Sequence, residues 1–226
     1  MADSLRGVTV AFDLDGTLVD TAPDLIAAVN YVLDEIGLAP VAPSLIRADI
    51  SFGAARMLSN AIVLSGGTLP KEEVDRLYRD VYLPRYEATI ADTSQPFPGL
   101  AEALDLLDAA GARSVVCTNK WEGLSRKLLI ELGLNPRFQA IAGRDTYPVC
   151  KPHPDHLTGV VRAGGGDPSR AVMIGDSDTD VQTARAAGVP VVGVTFGYTD
   201  VPMAELGATA TISHFDQLVP AIRRVL

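Results

Sequence analysis

Runs of β-branched and apolar residues punctuate the chain, and each one stops at a polar or glycine-containing turn. Val8–Leu14 reads VTVAFDL and meets Asp-Gly, Ser114–Cys117 (SVVC) meets Thr-Asn, Ala171–Ile174 (AVMI) meets Gly-Asp, and Pro190–Thr195 (PVVGVT) runs into a glycine loop. A strand with one wet face alternates apolar and polar residues. A strand covered on both faces is apolar throughout, so these runs predict a parallel sheet. Phe138–Ala142 and Thr209–Ile212 are shorter candidates of the same kind.

Between these runs apolar residues recur at three- and four-residue spacing, the period of a helix with one buried face. Leu100–Ala109 precedes Gly111, Trp121–Leu132 is stopped by Gly133 and Asp178–Ala187 by Gly188, with Pro154–Ala163 and Asp216–Val225 completing the set. Strands alternating with helices imply right-handed crossovers, and so an α/β fold with a Rossmann-like, doubly wound parallel-sheet core. Residues 18–95 break the alternation. They read as helices only, about Asp24–Ile36, Ser44–Leu64 and Lys71–Ile90, joined by turns containing Pro and Gly. The expected organisation is an α/β catalytic core of residues 1–17 and 96–226 with an inserted all-helical cap domain, 18–95. The junctions are expected near Leu18–Thr21 and Ser94–Pro98.

Composition narrows the partners. The 226 residues are 47% hydrophobic, enough for one large buried core, and 28 acidic against 19 basic side chains give a formal charge of −9. Such a field repels phosphate backbones and anionic bilayers, so neither nucleic acid nor a membrane is expected as a partner. No apolar stretch approaches the roughly 18 residues that would span a bilayer. The opening MADSLRG lacks a basic segment followed by an apolar run, so no secretory signal is expected. Cys117 and Cys150 show no CxxC spacing and are expected as free thiols, which fits a cytoplasmic location. The oligomeric state is left open between monomer and homodimer. A small anionic substrate would need a local positive site that the chain as a whole does not offer.

Polar residues gather where the apolar runs end. Asp13, Asp15, Gly16 and Thr17 follow the first, Thr118 and Asn119 the second, and Gly175 through Asp180 (GDSDTD) the third, while Lys151 lies in the loop CKPHPD. Taken singly, each is ordinary. Asp-Gly is a common turn, Asp176–Asp180 fits a helix cap with an acidic first turn, and a lone lysine is usually solvated. A parallel sheet, however, brings all of these ends to one edge, where α/β folds bind ligands.

Phosphoryl transfer needs an in-line nucleophile, neutralisation of the phosphoryl charge and a proton for the leaving oxygen. Asp13 suits the nucleophile, since a carboxylate can form an aspartyl-phosphate. Mg²⁺ held by Asp13 and Asp176, with the Asp15 carbonyl, would offset the repulsion between anions, and Asp180 would support the metal from behind. Asp15 is then available to protonate the leaving alcohol and activate water. Gly16 permits a sharp turn that brings backbone N–H groups toward the phosphate. The Thr118 hydroxyl, the Asn119 amide and the Lys151 ammonium complete a cradle.

The stretch Asp13-Leu14-Asp15-Gly16-Thr17-Leu18-Val19-Asp20 resembles the first motif of haloacid dehalogenase superfamily phosphatases. Thr118-Asn119, Lys151-Pro152 and Gly175-Asp176-Ser177-Asp178-Thr179-Asp180 resemble the other three, in the family's order, and the likeness covers nearly the whole chain. It implies Asp13 as nucleophile, Asp15 as acid and base, and Asp13, Asp15 and Asp176 around Mg²⁺. FGAARML, PFPGLAEALDLL and KPHPDHL resemble the phosphoglycolate phosphatase type, although Ser51 stands where that type usually has glycine. The dehalogenases lack the second acidic residue of the first motif, so Asp15 argues against that reaction. The phosphonate-cleaving relatives need a cap lysine for a Schiff base, and the cap offers only Lys71.

The resulting expectation is a Mg²⁺-dependent phosphatase acting on a small phosphorylated metabolite, 2-phosphoglycolate first. The alternatives are a sugar-phosphate phosphatase, a phosphoglucomutase, or, in another class, a non-catalytic metal- or phosphate-binding module. Arg56 in the cap stands evenly between a surface helix residue and a clamp for a substrate carboxylate. His153, His156 and His214 lack metal-ligand spacing, and Trp121 is expected to pack at a helix start.

Overall fold

A computed structural model describes residues 5–226. The described residues divide into two compact units, 5–20 with 96–226, and 21–95.

The first unit is built on a six-stranded sheet. Its strands are β1 (Thr9–Phe12), β4 (Arg113–Cys117), β5 (Ala140–Ala142), β6 (Ala171–Gly175), β7 (Val191–Val194) and β8 (Ala210–Ile212), in the spatial order β5-β4-β1-β6-β7-β8. Two short strands, β2 (Val19–Asp20) and β3 (Gln95–Pro96), form a separate two-stranded sheet. Every pairing in the large sheet is parallel. The apolar runs account for this: β1, the last four residues of β4, β6 and β7 are buried along their whole length, which requires layers on both faces. On one face Ala11, Val115, Cys117 and Met173 join a core with Leu157, Val160 and Val161 of helix Pro154–Ala163 and Val181 and Ala184 of helix Asp178–Ala187. Helices Leu100–Ala110 and Leu218–Val225 pack on each other, the first against β4 and the second against β8.

Register sets the site. Phe12 lies level with Val116 on one side and Ile174 on the other, so Asp13, Cys117 and Gly175 form the next row. The ladder runs on into the loops: the Asp13 N–H donates to the Ile174 carbonyl at 2.9 Å and the Thr118 N–H to the Ala142 carbonyl at 3.0 Å. Strand order turns around at β1, with β4 and β5 laid down to one side and β6 to β8 to the other. The reversal opens a crevice at the carboxyl ends of the central strands.

The second unit, Thr21–Gln95, is helical. The sheet unit keeps Leu18, Val19 and Asp20, which the sequence reading assigned to the insertion. The reason is local, because Leu18 and Val19 donate to the Leu14 carbonyl and so continue the turn that leaves β1. The expected helix Ser44–Leu64 is instead three pieces, Pro43–Ile46, a 3₁₀ segment Ala48–Phe52, and Ala54–Leu64. Gly53, at φ +98° and ψ 149°, interrupts it, a conformation open to glycine and outside the helical region. The expected helix Lys71–Ile90 ends at Ala88 and widens to a π turn over Tyr78–Tyr82 just before Pro84. A proline ring removes a donor and crowds the preceding turn, and a π turn relieves that crowding.

Within this unit Asp24 staples the two chain ends together. Its carboxylate accepts from the Ser94 N–H (2.7 Å) and hydroxyl (2.6 Å), from the Thr93 N–H (3.1 Å to each oxygen) and from the Thr93 hydroxyl. Burial by itself would raise the Asp24 pKa, but these donors outweigh it and hold the carboxyl below its ordinary value.

Candidate active site

Asp13 leaves β1 with its Oδ1 accepting the Leu14 N–H at 2.7 Å, and the chain then doubles back as Gly16 donates its N–H to the Val19 carbonyl at 3.0 Å. Gly16 has φ +80°, and a Cβ there would come within 2.5 Å of Asp176 Oδ2. Turn and packing both exclude a side chain. Gly16's own N–H is engaged in the sharp turn that the sequence leads one to expect there, and its contribution to the cluster is space.

Three carboxylates converge. Asp13, Asp176 and Asp180 each present an oxygen, and these oxygens lie within 4.8 Å of one another. Lys151 reaches into the group from the Pro-rich loop, 2.9 Å from Asp13 Oδ1 and 2.7 Å from Asp180 Oδ1. Asp176 is fixed on both oxygens, by the Thr17 hydroxyl at 3.1 Å and the Tyr198 N–H at 2.8 Å. Asp180 closes a capping box, accepting the Ser177 N–H and hydroxyl on Oδ2, so helix Asp178–Ala187 starts with its carboxylate aimed back into the site.

The electrostatics follow from burial. Desolvation lifts the Asp176 carboxyl to about 8, with the Asp13 and Asp180 charges adding to it. Desolvation likewise lifts Asp13 to about 6, less far because the Lys151 ammonium opposes the rise. For Lys151 burial works the other way, yet the charges of Asp13 and Asp180 prevail and hold the ammonium well above its usual range. One ammonium among three buried carboxylates leaves an excess of negative charge. Oxygen donors, burial and excess charge together fit a hard divalent cation such as Mg²⁺.

Asp15 stands apart from this group. Its two oxygens accept from Lys120 Nζ at 2.9 and 3.2 Å, and the Lys120 side chain is only 5% exposed. The Lys120 backbone N–H donates to the Thr118 hydroxyl oxygen at 3.2 Å. Asn119 donates its side-chain amide to the Lys151 carbonyl at 2.9 Å, joining the end of β4 to the lysine loop. Behind them the buried His156 faces the Gly143 carbonyl through Nε2 at 3.0 Å and Cys117 Sγ through Nδ1 at 3.7 Å. Burial, with Lys151 nearby, drops this imidazole to about 4, and the thiol, also desolvated, rises to about 12. His153 and His214 each cap a helical turn, accepting the N–H two residues on.

Asp13, Asp15, Gly16, Thr118, Asn119, Lys151, Asp176 and Asp180 thus gather on one sheet edge. Arg56 does not belong to that group: it lies in the helical unit, exposed, over the Phe52 ring at 4.1 Å and 4.0 Å from Asp49. Lys71 is likewise exposed and pairs with Asp75. Sequence reasoning missed Lys120 and Tyr198, and it named Thr17 at the end of the first run without giving it a role. Lys120 follows Asn119 directly, which was a usable signal. The glycine loop after β7 gave no hint that the Tyr198 N–H would hold Asp176.

A parallel α/β sheet with this cluster at its carboxyl edge defines a hydrolase of the haloacid dehalogenase-like class. The chain matches the sequence profile of the haloacid dehalogenase-like hydrolase family over residues 10–194 and belongs to that family. Among curated proteins it is 48% identical over 214 residues to a phosphoglycolate phosphatase of Caulobacter vibrioides, covering 93% of this chain and 89% of that protein. It is 45% identical over 209 residues to a phosphoglycolate phosphatase of Mesorhizobium japonicum, covering 92% of each. Among solved structures it resembles a predicted phosphoglycolate phosphatase from Haemophilus somnus, with a TM-score of 0.87 at 27% identity, covering 96% and 98% of the two chains. No helix among the described residues is long and apolar enough to cross a membrane.

Proposed function

We propose that this chain is a Mg²⁺-dependent phosphatase that hydrolyses 2-phosphoglycolate to glycolate and phosphate through an aspartyl-phosphate on Asp13. The observation that carries the reading is the pairing of Asp13 with Lys151 inside the acidic cluster, while Asp15, two residues on, is held outside it. The choice of substrate rests on the two bacterial relatives that bear that name.

In this reading Asp13 attacks phosphorus and the ester P–O bond breaks, with Asp15 giving its proton to the departing oxygen. Asp15 then takes a proton from water as that water attacks the phosphorylated Asp13, releasing inorganic phosphate. Lys151, fixed by Asp180 and by the Asn119 bridge to its own carbonyl, carries positive charge toward the phosphoryl oxygens. Asp13 and Asp176, with the Asp15 backbone carbonyl, would hold the Mg²⁺, and Asp180 would support them. When bound, the cation neutralises charge that builds on the phosphoryl group. The helical unit is assigned the part of a cap that excludes water during attack. With a charge of −9, the natural partner is a small metabolite and not nucleic acid or an anionic membrane. The free cysteines, Cys117 and Cys150, support a cytoplasmic location in this reading.

The test is hydrolysis of 2-phosphoglycolate by the purified protein with Mg²⁺, with EDTA, and as Asp13→Asn. Turnover is expected with Mg²⁺ only, and Asp13→Asn should fall to background with an unchanged circular dichroism spectrum. Persistent activity in Asp13→Asn would remove Asp13 as nucleophile. No preference for 2-phosphoglycolate over other phosphate esters would remove the substrate assignment.

A further inference from the structure

Lys120 has no part in the scheme above, yet it is almost fully buried and grips both oxygens of Asp15, at 2.9 and 3.2 Å. An ammonium donates three hydrogen bonds and accepts none, so the O–H of a protonated Asp15 cannot point at it. Asp15 held in this way is an acceptor. To turn an O–H toward a leaving alcohol, Asp15 has to give up at least one of its two contacts with Lys120.

The substrate class proposed above offers a means. In 2-phosphoglycolate the carboxylate is separated from the ester oxygen by a single CH₂ group. That ester oxygen has to come within about 3 Å of Asp15 to receive its proton. Lys120 Nζ lies within the same distance of the same carboxylate. A substrate placed for proton transfer with its CH₂ group turned toward Lys120 brings its own carboxylate within reach of the ammonium. Resting on that substrate reading, we infer that Lys120 is a specificity-determining residue: it exchanges Asp15 for the carboxylate of the substrate, binding the substrate and releasing the acid in one event. Discrimination then comes from a charge exchange. An ester without an anionic group beside the phosphate leaves Asp15 clamped and reacts slowly even when its phosphate is bound. The backbone N–H of Lys120 on Thr118 fixes the root of the side chain, so the exchange takes place at its tip.

The comparison pairs 2-phosphoglycolate with ethyl phosphate, in which a methyl group replaces the carboxylate. For the wild-type protein with Mg²⁺, kcat/KM should favour 2-phosphoglycolate. In Lys120→Met, which keeps the apolar stem, that preference should shrink by about tenfold or more, the scale of a desolvated charge contact. The shrinkage should combine a loss on 2-phosphoglycolate with a gain in kcat on ethyl phosphate, and Lys120→Arg should restore most of the preference. A merely structural lysine would lower both substrates alike and leave their ratio intact, and that result overturns the inference. Should Lys120→Met not fold, Lys120→Gln carries the same comparison with a neutral donor facing Asp15. A wild-type protein that shows no preference overturns the substrate reading itself. A wild-type preference that survives in the variants overturns the role of Lys120 alone.

Discussion

At the scale of single residues the site is a problem of buried charge, and its solution makes the protein pH-sensitive. Asp176 holds its proton up to about pH 8 in the folded chain because desolvation penalises the carboxylate, whereas in the unfolded chain it titrates near 3.8. The native state therefore binds more protons than the unfolded state between these values, and stability falls as pH rises. His156 works the opposite way between about 4 and 6.5, while Asp13, half titrated at about 6, acts in the same direction as Asp176 and adds little above pH 7. The window in which Asp176 dominates these shifts is thus pH 6.5 to 8. Metal-free protein should lose on the order of 1–2 kcal/mol across it. Mg²⁺ should restore more at pH 8 than at pH 6.5, since the cation competes with the proton. Thermal melts at the two pH values, with EDTA and with Mg²⁺, measure both effects, and a metal-free melting point that rises over the window would contradict the assignment. Gly16→Ala bears on the same cluster. A Cβ 2.5 Å from Asp176 Oδ2, at φ +80°, should cost about 1–3 kcal/mol of stability and most of the Mg²⁺-induced rise in melting temperature.

At the scale of elements, a side chain or a backbone angle sets several of the ends, and some of those ends carry site residues. Helix Asp178–Ala187 begins with the Ser177–Asp180 capping box, so one pair of residues both starts a helix and places a carboxylate. In the helical unit Asp24 does a comparable job without any chemistry, gathering Thr93 and Ser94 near the far end of the insertion. Asp24→Ala leaves the donors of the buried Ser94 without this acceptor, along with those of the exposed Thr93, and should destabilise the unit by about 1–3 kcal/mol. Asp24→Asn, which keeps one acceptor oxygen, should lose less. Denaturant titration of the three proteins tests the order, and equal stability of Asp24→Ala and wild type would refute the staple. The broken helix at Gly53 and the π turn before Pro84 are element-scale features as well. Helical periodicity carried straight through both, because apolar spacing reports which face is buried and not whether the hydrogen-bond ladder is continuous.

At the scale of the whole molecule two units share one chain, and only the sheet unit contains the acidic cluster. Mg²⁺ without substrate should therefore protect amides at the carboxyl ends of β1 and β6 and around Tyr198 from hydrogen exchange. Amides of residues 21–95 should exchange as before. Protection spread evenly over both units would mean that the cation binds elsewhere or couples them globally.

Much of this was legible in the sequence. Strands covered on both faces must be apolar, parallel strands must end on one edge, and a polar residue just past such a strand has nowhere else to go. Those constraints point to Asp13, Asp15, Thr118, Asn119 and Asp176, whereas Lys151, in a Pro-rich loop that follows no such run directly, is marked by the family resemblance. With a charge of −9 an anionic substrate would need a local positive site, and the buried ammonium groups of Lys151 and Lys120 lie at this edge of the sheet, paired with Asp13 and Asp15. Tertiary structure alone decided the pairings. Lys120 meets Asp15 across 105 residues, and the Tyr198 N–H meets Asp176 from a loop whose own residues say only that it turns. It also decided which carboxylates keep their protons, because desolvation depends on everything packed around a group and not on its neighbours in the chain. The sequence by itself determined which residues reach the sheet edge, since periodicity and burial are local constraints. Which of them touch, and with what charge, is set by distance and by the exclusion of water, and both exist only once the chain has folded.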